Sequence, residues 1–539
     1  MKNRNVVFTL LLFATAITMV THAQTFNLLY TCGSGPGDPS YTSGLLVQGR
    51  DGNLYGTSRD GGAYNLGTVF SITPNGVLTV LYNFDGSHGA QPWGGLTLGT
   101  DGNFYGATTF GGRFNNGTIF RITPGGKLTI AYNFTNGEDG ETPWVPPIEG
   151  TDGNFYGTSC GCPYGGAWAG TVYKITPAGV LTTLHQFAPN GYHDGVNPQN
   201  TLMQATDGNF YGTTTNQGTY DRGTIFKITP SGKFTKLHDF SDVDGGRDYG
   251  QLVQASDGNF YAPAAVGGQF GVGVLYRLTP SGEYTVLHTF TGSDGSMPGA
   301  GLVLATDGNF YGVAITGGSN SNGTIYALDG DGSFSVLYDF DATSGSVPAA
   351  LTQHTNGTFY GDTASGGAYN QGTVFSLDMG FVPFVKMVRD SGKVSKTGGI
   401  LGQGFTGTTG VSINGVPASF TVVSDTYLTA TVPAGATTGF VTVATPNGTL
   451  TSNKPFRVTP QLLTFDPPSG PVGTAVTITG VSLTQTTEVG FGNYVPAQFT
   501  VVSDNQVTAI VPDGAKTGRV GIQTQGGTAI SSTVFTVTQ

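Results

Sequence analysis

The sequence predicts an all-β protein: a seven-bladed β-propeller closed by its own N-terminal strand, followed by two immunoglobulin-like β-sandwiches. Three observations predict it. A six-residue phrase recurs seven times, as DGNLYG at Asp51, DGNFYG at Asp101, Asp152, Asp207 and Asp307, DGNFYA at Asp257 and NGTFYG at Asn356, at intervals of 50, 51, 55, 50, 50 and 49 residues. A fixed period of that length is one supersecondary unit used repeatedly. Each interval holds four short runs rich in β-branched and aromatic residues, punctuated by Gly, Pro and Asn, and no stretch of the mature chain carries a sustained helical period. After Leu377 a second repeat begins, with FTVVSD at Phe420 and Phe499, VPAGATTG at Val432 against VPDGAKTG at Val511, and FRV at Phe456 against FTV at Phe535, every offset being 79 residues.

Taken in order, Met1 to Ala23 has a basic start (Lys2, Arg4), an apolar run from Val6 to Val20 and Thr-His-Ala at its end. It reads as a secretory signal peptide cleaved after Ala23, because the run is short for a bilayer span. The protein is therefore expected outside the cytoplasm, secreted or at the cell surface, with no membrane span once the signal is cut. Within each blade an apolar strand A precedes the phrase, for example GLVLAT at Gly301; the Asp-Gly turn then leads into strand B. Strand C opens on Gly-Thr, as in GTIFRI at Gly117, and a TPxG turn leads into strand D, as in KLTIAYNF at Lys127. The last copy stops at Leu377 after strand C, and a matching strand D stands at the other end of the chain, TFNLLYT from Thr25. That strand is expected to complete the last blade and close the ring. The expected domains are 24–379 for the propeller and 380–459 and 460–539 for the two sandwiches.

Composition bounds the function. Gly contributes 88 residues and charged residues only 10%, with 11% aromatics, which suits a turn-rich β protein. A net charge of −11 argues against nucleic acid or an anionic membrane surface as partner. Cys32, Cys160 and Cys162 are too few for a disulfide framework. Cys160 and Cys162 flank one glycine, which leaves open a local disulfide or two inert thiols.

The DGNFYG…GTxF…TPxG series resembles the GloVer (Gloeo/Verruco) tandem-repeat proteins over about Thr25 to Leu377; the resemblance implies the propeller fold and an exported location, and no chemistry. From Gly380 to Gln539, the PSG at Pro468, the ITG at Ile478, FTVVSD and the VPxGAxTG turn resemble the IPT/TIG immunoglobulin-like domain. The first copy departs from that pattern near Ser391, where SGKV lacks the preceding prolines. The blade phrase is also similar to that of the streptogramin lyase propellers, but the histidine and acidic cluster that such a resemblance would require has no counterpart here.

No catalytic constellation is recognisable. His185, His238 and His288 occupy the strand-D position held by Tyr82, Tyr132 and Tyr338 elsewhere, so they read as packing residues with a polar tip. The B–C and D–A loops are expected on one face of the propeller. There Tyr64, Phe114, Trp168, Tyr220, Phe270 and Tyr369 follow the glycine pair of the B–C loops, with Asn320 breaking the ring, and are expected to pack beneath their own loops. Trp93 and Trp144 each follow a proline in successive D–A loops. With Trp168 they define a candidate glycan-binding face, to which the long D–A loops add Glu138, Asp139, Glu141, Tyr192, His193 and Asp194: flat aromatics stack on a sugar ring and polar groups meet its hydroxyls. The alternative is that the tryptophans plug the blade junctions. No cofactor is expected; a calcium loop at Asp242, Asp244 and Asp248 is a candidate whose motif is incomplete. Three functions follow: an exported non-catalytic binding or adhesion protein, monomeric, with a glycan or cell-surface protein as partner; an extracellular polysaccharide-degrading enzyme or lyase; or a purely structural surface protein.

Overall fold

The structure is a computed structural model that describes residues 24–42, 44–135, 137–161, 169–187 and 193–539. The signal segment, Cys162, Trp168 and Tyr192 lie outside the described residues. Among those described, all regular structure is β and no helix is long and apolar enough to cross a membrane.

Between Thr25 and Asp378 the strands form seven antiparallel sheets, each following the A-B-C-D order. The second is representative, with A at Thr97–Leu98, B at Phe104–Thr108, C at Thr118–Ile122 and D at Leu128–Asn133. The seventh takes its outer strand from the N-terminus: Thr25–Thr31 pairs with Thr373–Asp378, as the repeat arithmetic requires.

The recurrent phrase builds this architecture through one set of bonds. In the turn at Asp207, the carboxylate accepts hydrogen bonds from the Asn209 backbone at 3.0 Å, the Asn209 amide at 2.7 Å and the Tyr211 hydroxyl at 2.8 Å. The same three bonds recur at Asp51, Asp101, Asp152, Asp257 and Asp307. Each tyrosine so fixed lays its ring on the phenylalanine of the next blade's phrase, with centroids 3.9–4.6 Å apart from Tyr55–Phe104 round to Tyr311–Phe359. The phrase therefore joins blades as well as turning strands.

A second stitch runs between the turns. The side chains of Glu149, Gln204, Gln254, Gln353 and Gln48 accept the backbone N–H of Thr100, Thr151, Thr206, Thr306 and Thr355 in the preceding blade. The Gln48–Thr355 clasp joins the seventh sheet to the first, and Phe26 of the closing strand stacks on Tyr338 of the sixth at 3.9 Å. The ring closes through backbone, amide and aromatic contacts together.

The strand-D histidines are part of the same scaffold. His185, His238 and His288 stack on Phe234, Tyr284 and Phe334 of the next blade at 4.0, 4.1 and 3.7 Å, and pair with Asp194, Asp244 and Asp294 at 2.7, 3.1 and 3.0 Å. Tyr132 makes the equivalent bond to Asp139. Asp139, Asp244 and Asp294 in turn cap their D–A loops.

Residues after Gly380 form two sandwiches. The first packs sheets centred on Thr397–Leu401 with Tyr427–Thr431 and on Gly410–Ile413 with Val441–Thr445, around Phe405, Leu428, Val441 and Phe456. The second repeats the plan around Ile478, Phe491, Val507 and Phe535. Ser391–Gly392 pairs in parallel with Arg457–Val458, as Ser469–Gly470 pairs with Thr536–Val537. The departure at SGKV thus leaves the pairing intact.

The first sandwich is docked on the propeller. Arg389 pairs with Glu149 at 2.6 Å, Thr426 donates to the Arg50 carbonyl at 2.7 Å, Gln403 to Thr355 at 2.9 Å and Arg457 to the Thr206 carbonyl at 3.2 Å. The Arg50 guanidinium lies 4.5 Å from the centre of the Tyr427 ring. These partners belong to the A–B turns of blades one, three, four and seven, so the sandwich straddles the propeller axis at its turn end.

Candidate ligand-binding site

At the opposite end of the axis, the D–A loops surround a cavity of about 430 Å³ whose lining comes from all seven blades. One repeated loop builds it. Tyr41, Gln91, Thr142, Asn197, Arg247, Met297 and Val347 hold positive φ of 47–59° and turn the chain inward. In five blades a proline follows, and Pro92 and Pro143 press on Gly67 and Gly117, the glycines that open strand C. A Cβ at Gly67 would meet Pro92 at 2.6 Å and the Ser58 carbonyl at 2.5 Å. The Gly-Thr opening is therefore a seat for the D–A loop.

The next residue faces the axis. Reading round the ring it is Trp93, Trp144, Gln199, Tyr249, Gly299 and Ala349, with Ser43 as the undescribed seventh. All of these described residues except Gly299 line the cavity. Trp93 and Trp144 are half-buried, with ring centroids 5.1 Å apart at 31°, and Tyr41 meets Trp93 edge-on at 5.8 Å. Arg59 supports the pair, its guanidinium 4.6 Å from the Trp93 ring centre and 4.9 Å from that of Tyr41. The tryptophans thus form part of a cavity wall.

The lining is uneven. Blades four and five contribute Gln199, Thr201, Tyr249 and Gln251; blades six, seven and one contribute Ala300, Ile315, Val347, Pro348, Ala349 and Leu45. Among the described lining residues there is no carboxylate and no imidazole.

Of the residues singled out in the sequence, Trp93 and Trp144 come together here. The acidic companions are engaged elsewhere. Asp139 is buried as a loop cap, holding Thr135, Gly137 and Tyr132. Glu141 is buried beside Cys160, and Asp194 pairs with His185. The Glu138 carbonyl takes Thr183 and Gln186, and the exposed His193 offers its carbonyl to Lys236. Asp242, Asp244 and Asp248 turn to three different partners, Arg222, His238 and Tyr276. Among the described residues no three His, Cys, Asp or Glu side chains are placed to hold a metal ion. Cys160 is a free buried thiol, accepting from Gln199 at 3.2 Å.

The loop-tip aromatics do not pack beneath their loops: Tyr64, Phe114, Tyr220, Phe270 and Tyr369 are 47–63% exposed. The tips bearing Tyr64, Phe114 and Tyr220 are held instead by an outer-strand side chain, as Asn83 holds Ala63, which leaves the ring outside. Sequence reasoning missed Tyr41, Gln199, Tyr249 and Gln251. Aligning the residue after the D–A proline across the repeats would have found Gln199, and Tyr249 where Asp248 takes the proline's place.

A ring of four-stranded sheets enclosing an axial cavity defines a β-propeller whose cavity lies at its loop end. The Gloeobacter/Verrucomicrobia repeat profile matches residues 14–160, 125–307 and 300–405, and the chain belongs to that repeat family. The IPT/TIG profile matches residues 460–538, the second sandwich. No match was found among the curated proteins. Matches among solved structures are of low similarity. A periplasmic gluconolactonase from Pseudomonas aeruginosa is 15% identical with a TM-score of 0.40, covering 60% of this chain and 96% of its own. A copper-bound fungal alcohol oxidase is 13% identical with a TM-score of 0.41, covering 80% and 100%. A surface glycan-binding protein from Prevotella bryantii is 17% identical with a TM-score of 0.22, covering 29% and 39%. No residue role is carried over from any of them.

Proposed function

We propose that the protein is an exported, non-catalytic binding protein that holds a neutral glycan in the axial cavity, at the cell surface or beyond it. The observation that carries this reading is the composition of the cavity wall. Half-buried Trp93 and Trp144 offer flat apolar surface; Gln199, Thr201 and Gln251 offer donors and acceptors without formal charge. Stacking plus uncharged hydrogen bonding is what a sugar ring requires, and the volume lies within the ~300–1,000 Å³ of small-molecule sites. The polymer-degrading alternative calls for a general acid or base at the substrate, and the described lining supplies neither carboxylate nor imidazole. The two sandwiches serve in this reading as a docking and spacing module.

Affinity chromatography of the purified protein on a panel of neutral polysaccharides tests it. The parent is expected to be retarded with a Kd on the order of micromolar to millimolar, as befits a small site with few contacts. Trp144→Ala is expected to lose retention at least tenfold while its circular dichroism and melting stay those of a folded propeller. A folded Trp144→Ala protein that binds as the parent does would place the site elsewhere.

A further inference from the structure

The two ends of the axis and the two sides of the cavity together narrow the ligand. At the turn end, the first sandwich spans blades one, three, four and seven through Arg389, Gln403, Thr426 and Arg457. A polymer cannot thread a ring whose far end is covered by a packed domain. Entry is from the loop end alone, and a cavity of about 430 Å³ holds roughly two sugar rings. Such a socket accepts a chain end or a short branch.

Apart from Tyr41 of blade one and Thr97 of blade two, the polar side chains of the socket are gathered on one side. Gln199, Thr201, Tyr249 and Gln251 lie on blades four and five. On blades six and seven the axis-facing residues shrink to Gly299 and Ala349, and the space so vacated is walled by Ile315, Val347, Pro348 and Ala350, joined by Leu45 of blade one. A hydroxyl placed against that aliphatic arc loses its hydration and finds no side-chain partner, whereas a methyl group gains by contact.

Resting on the glycan reading above, we infer that the socket takes the terminal sugar of a neutral glycan whose rim carries a methyl group, a 6-deoxyhexose unit. Its hydroxyls face Gln199, Thr201 and Gln251, its apolar face lies toward Trp144, and its methyl group enters the aliphatic arc.

Matched sugars that differ only by the C6 hydroxyl test this on the full chain. Titration calorimetry would compare the methyl glycosides of L-fucose with L-galactose, and of L-rhamnose with L-mannose. The deoxy member of at least one pair is expected to bind about tenfold tighter, the low end of what one added or removed group yields in an apolar pocket. Ile315→Thr and, separately, Leu45→Gln are expected to bring that ratio toward one, whatever they do to the affinity for the parent hexose. Equal or tighter binding of both parent hexoses, with retention on polysaccharide intact, overturns the 6-deoxy assignment and leaves the glycan reading standing. No binding of any of the four, together with no retention on the polysaccharide panel, overturns both.

Discussion

The turn end and the loop end of the propeller axis are made by the same seven repeats, yet they differ in what they repeat. At the turn end side chains recur: the aspartate with its three bonds, the tyrosine on the next phenylalanine, the glutamine clasp. At the loop end the backbone recurs, with positive φ from Tyr41 to Val347, but the axis-facing residue runs through Trp, Trp, Gln, Tyr, Gly and Ala. Identity among repeats supplies the blade-to-blade contact that closes a ring, and variation at one shared position gives the cavity a direction. The turn end is covered by a sandwich; the loop end is open.

If that division of labour holds, damage at the closure should be worst. Removing Thr25–Thr31 strips the seventh blade of its outer strand, exposing the edge of Thr373–Asp378 and the Tyr338 face that Phe26 covers. Loss of a cooperative melt and self-association in size-exclusion chromatography are the expected outcome. A monomer that melts like the parent would break the closed-ring account.

Next in size is the contrast between one residue at each end. Asp207→Ala leaves Asn209 and Tyr211 without their acceptor and is expected to cost about 1–3 kcal/mol in urea unfolding, with sugar binding unchanged in what remains folded. Trp144→Ala is expected to show the reverse, about 1 kcal/mol or less of stability against a large loss of binding, because its ring is half-buried at a cavity. Equal stability losses at the two sites would erase the distinction.

This contrast also explains what the sequence disclosed. Period, strand order and the N-terminal closing strand were readable because the turn-end contacts demand the same residues in every blade. Trp93 and Trp144 were readable as candidates because tryptophan is rare, three in the chain. Gln199, Tyr249 and Gln251 were not, since an amide or phenol in a loop looks like any other polar loop residue until the ring brings it to the axis. The acidic companions failed for a physical reason: Asp139 caps its loop and Asp194 holds strand D through His185, uses that sequence proximity to a tryptophan does not reveal. The exposed loop-tip aromatics failed likewise, because Asn83 and its equivalents already anchor the loops.

The covering of the turn end can be loosened on its own. A boundary at a change of repeat is expected to be crossed by few contacts, and here it is crossed by an ion pair and several hydrogen bonds. Arg389→Ala removes the guanidinium that meets Glu149, a pair with side chains 30% and 12% exposed. Such a partly buried pair is worth about 1 kcal/mol. In scanning calorimetry the sandwich transition is expected to move apart from that of the propeller by a few degrees. An unchanged thermogram would show that the sandwich is held by its other contacts.

The smallest expected effect, and the sharpest, is a difference of sign with pH. At the turn end, burial raises the Asp152 carboxyl, but hydrogen bonds from Asn154 and Tyr156 outweigh it and leave it below the ordinary carboxylate range; Asp101 and Asp257 behave alike. A depressed acid favours the fold fully above its unfolded value of about 4 and loses that contribution as pH falls through the folded value. At the loop end, Asp248 sits fully buried behind the cavity wall formed by Tyr249 and Gln251. Burial pushes its carboxyl up to about 7, against the pull of the Tyr276 hydroxyl and the Gly250 N–H. A raised acid keeps a proton that the unfolded chain has released, so its contribution declines as pH climbs from about 4 to about 7. Asp248→Asn should therefore gain stability relative to the parent across that interval and hold the gain above it. Asp152→Asn should lose progressively less relative to the parent as pH falls below about 4, where the parent's own advantage declines. Melting temperatures of parent and both variants from pH 3 to pH 8 report each difference; two curves of the same slope would mean that the carboxylates at the two ends are held alike.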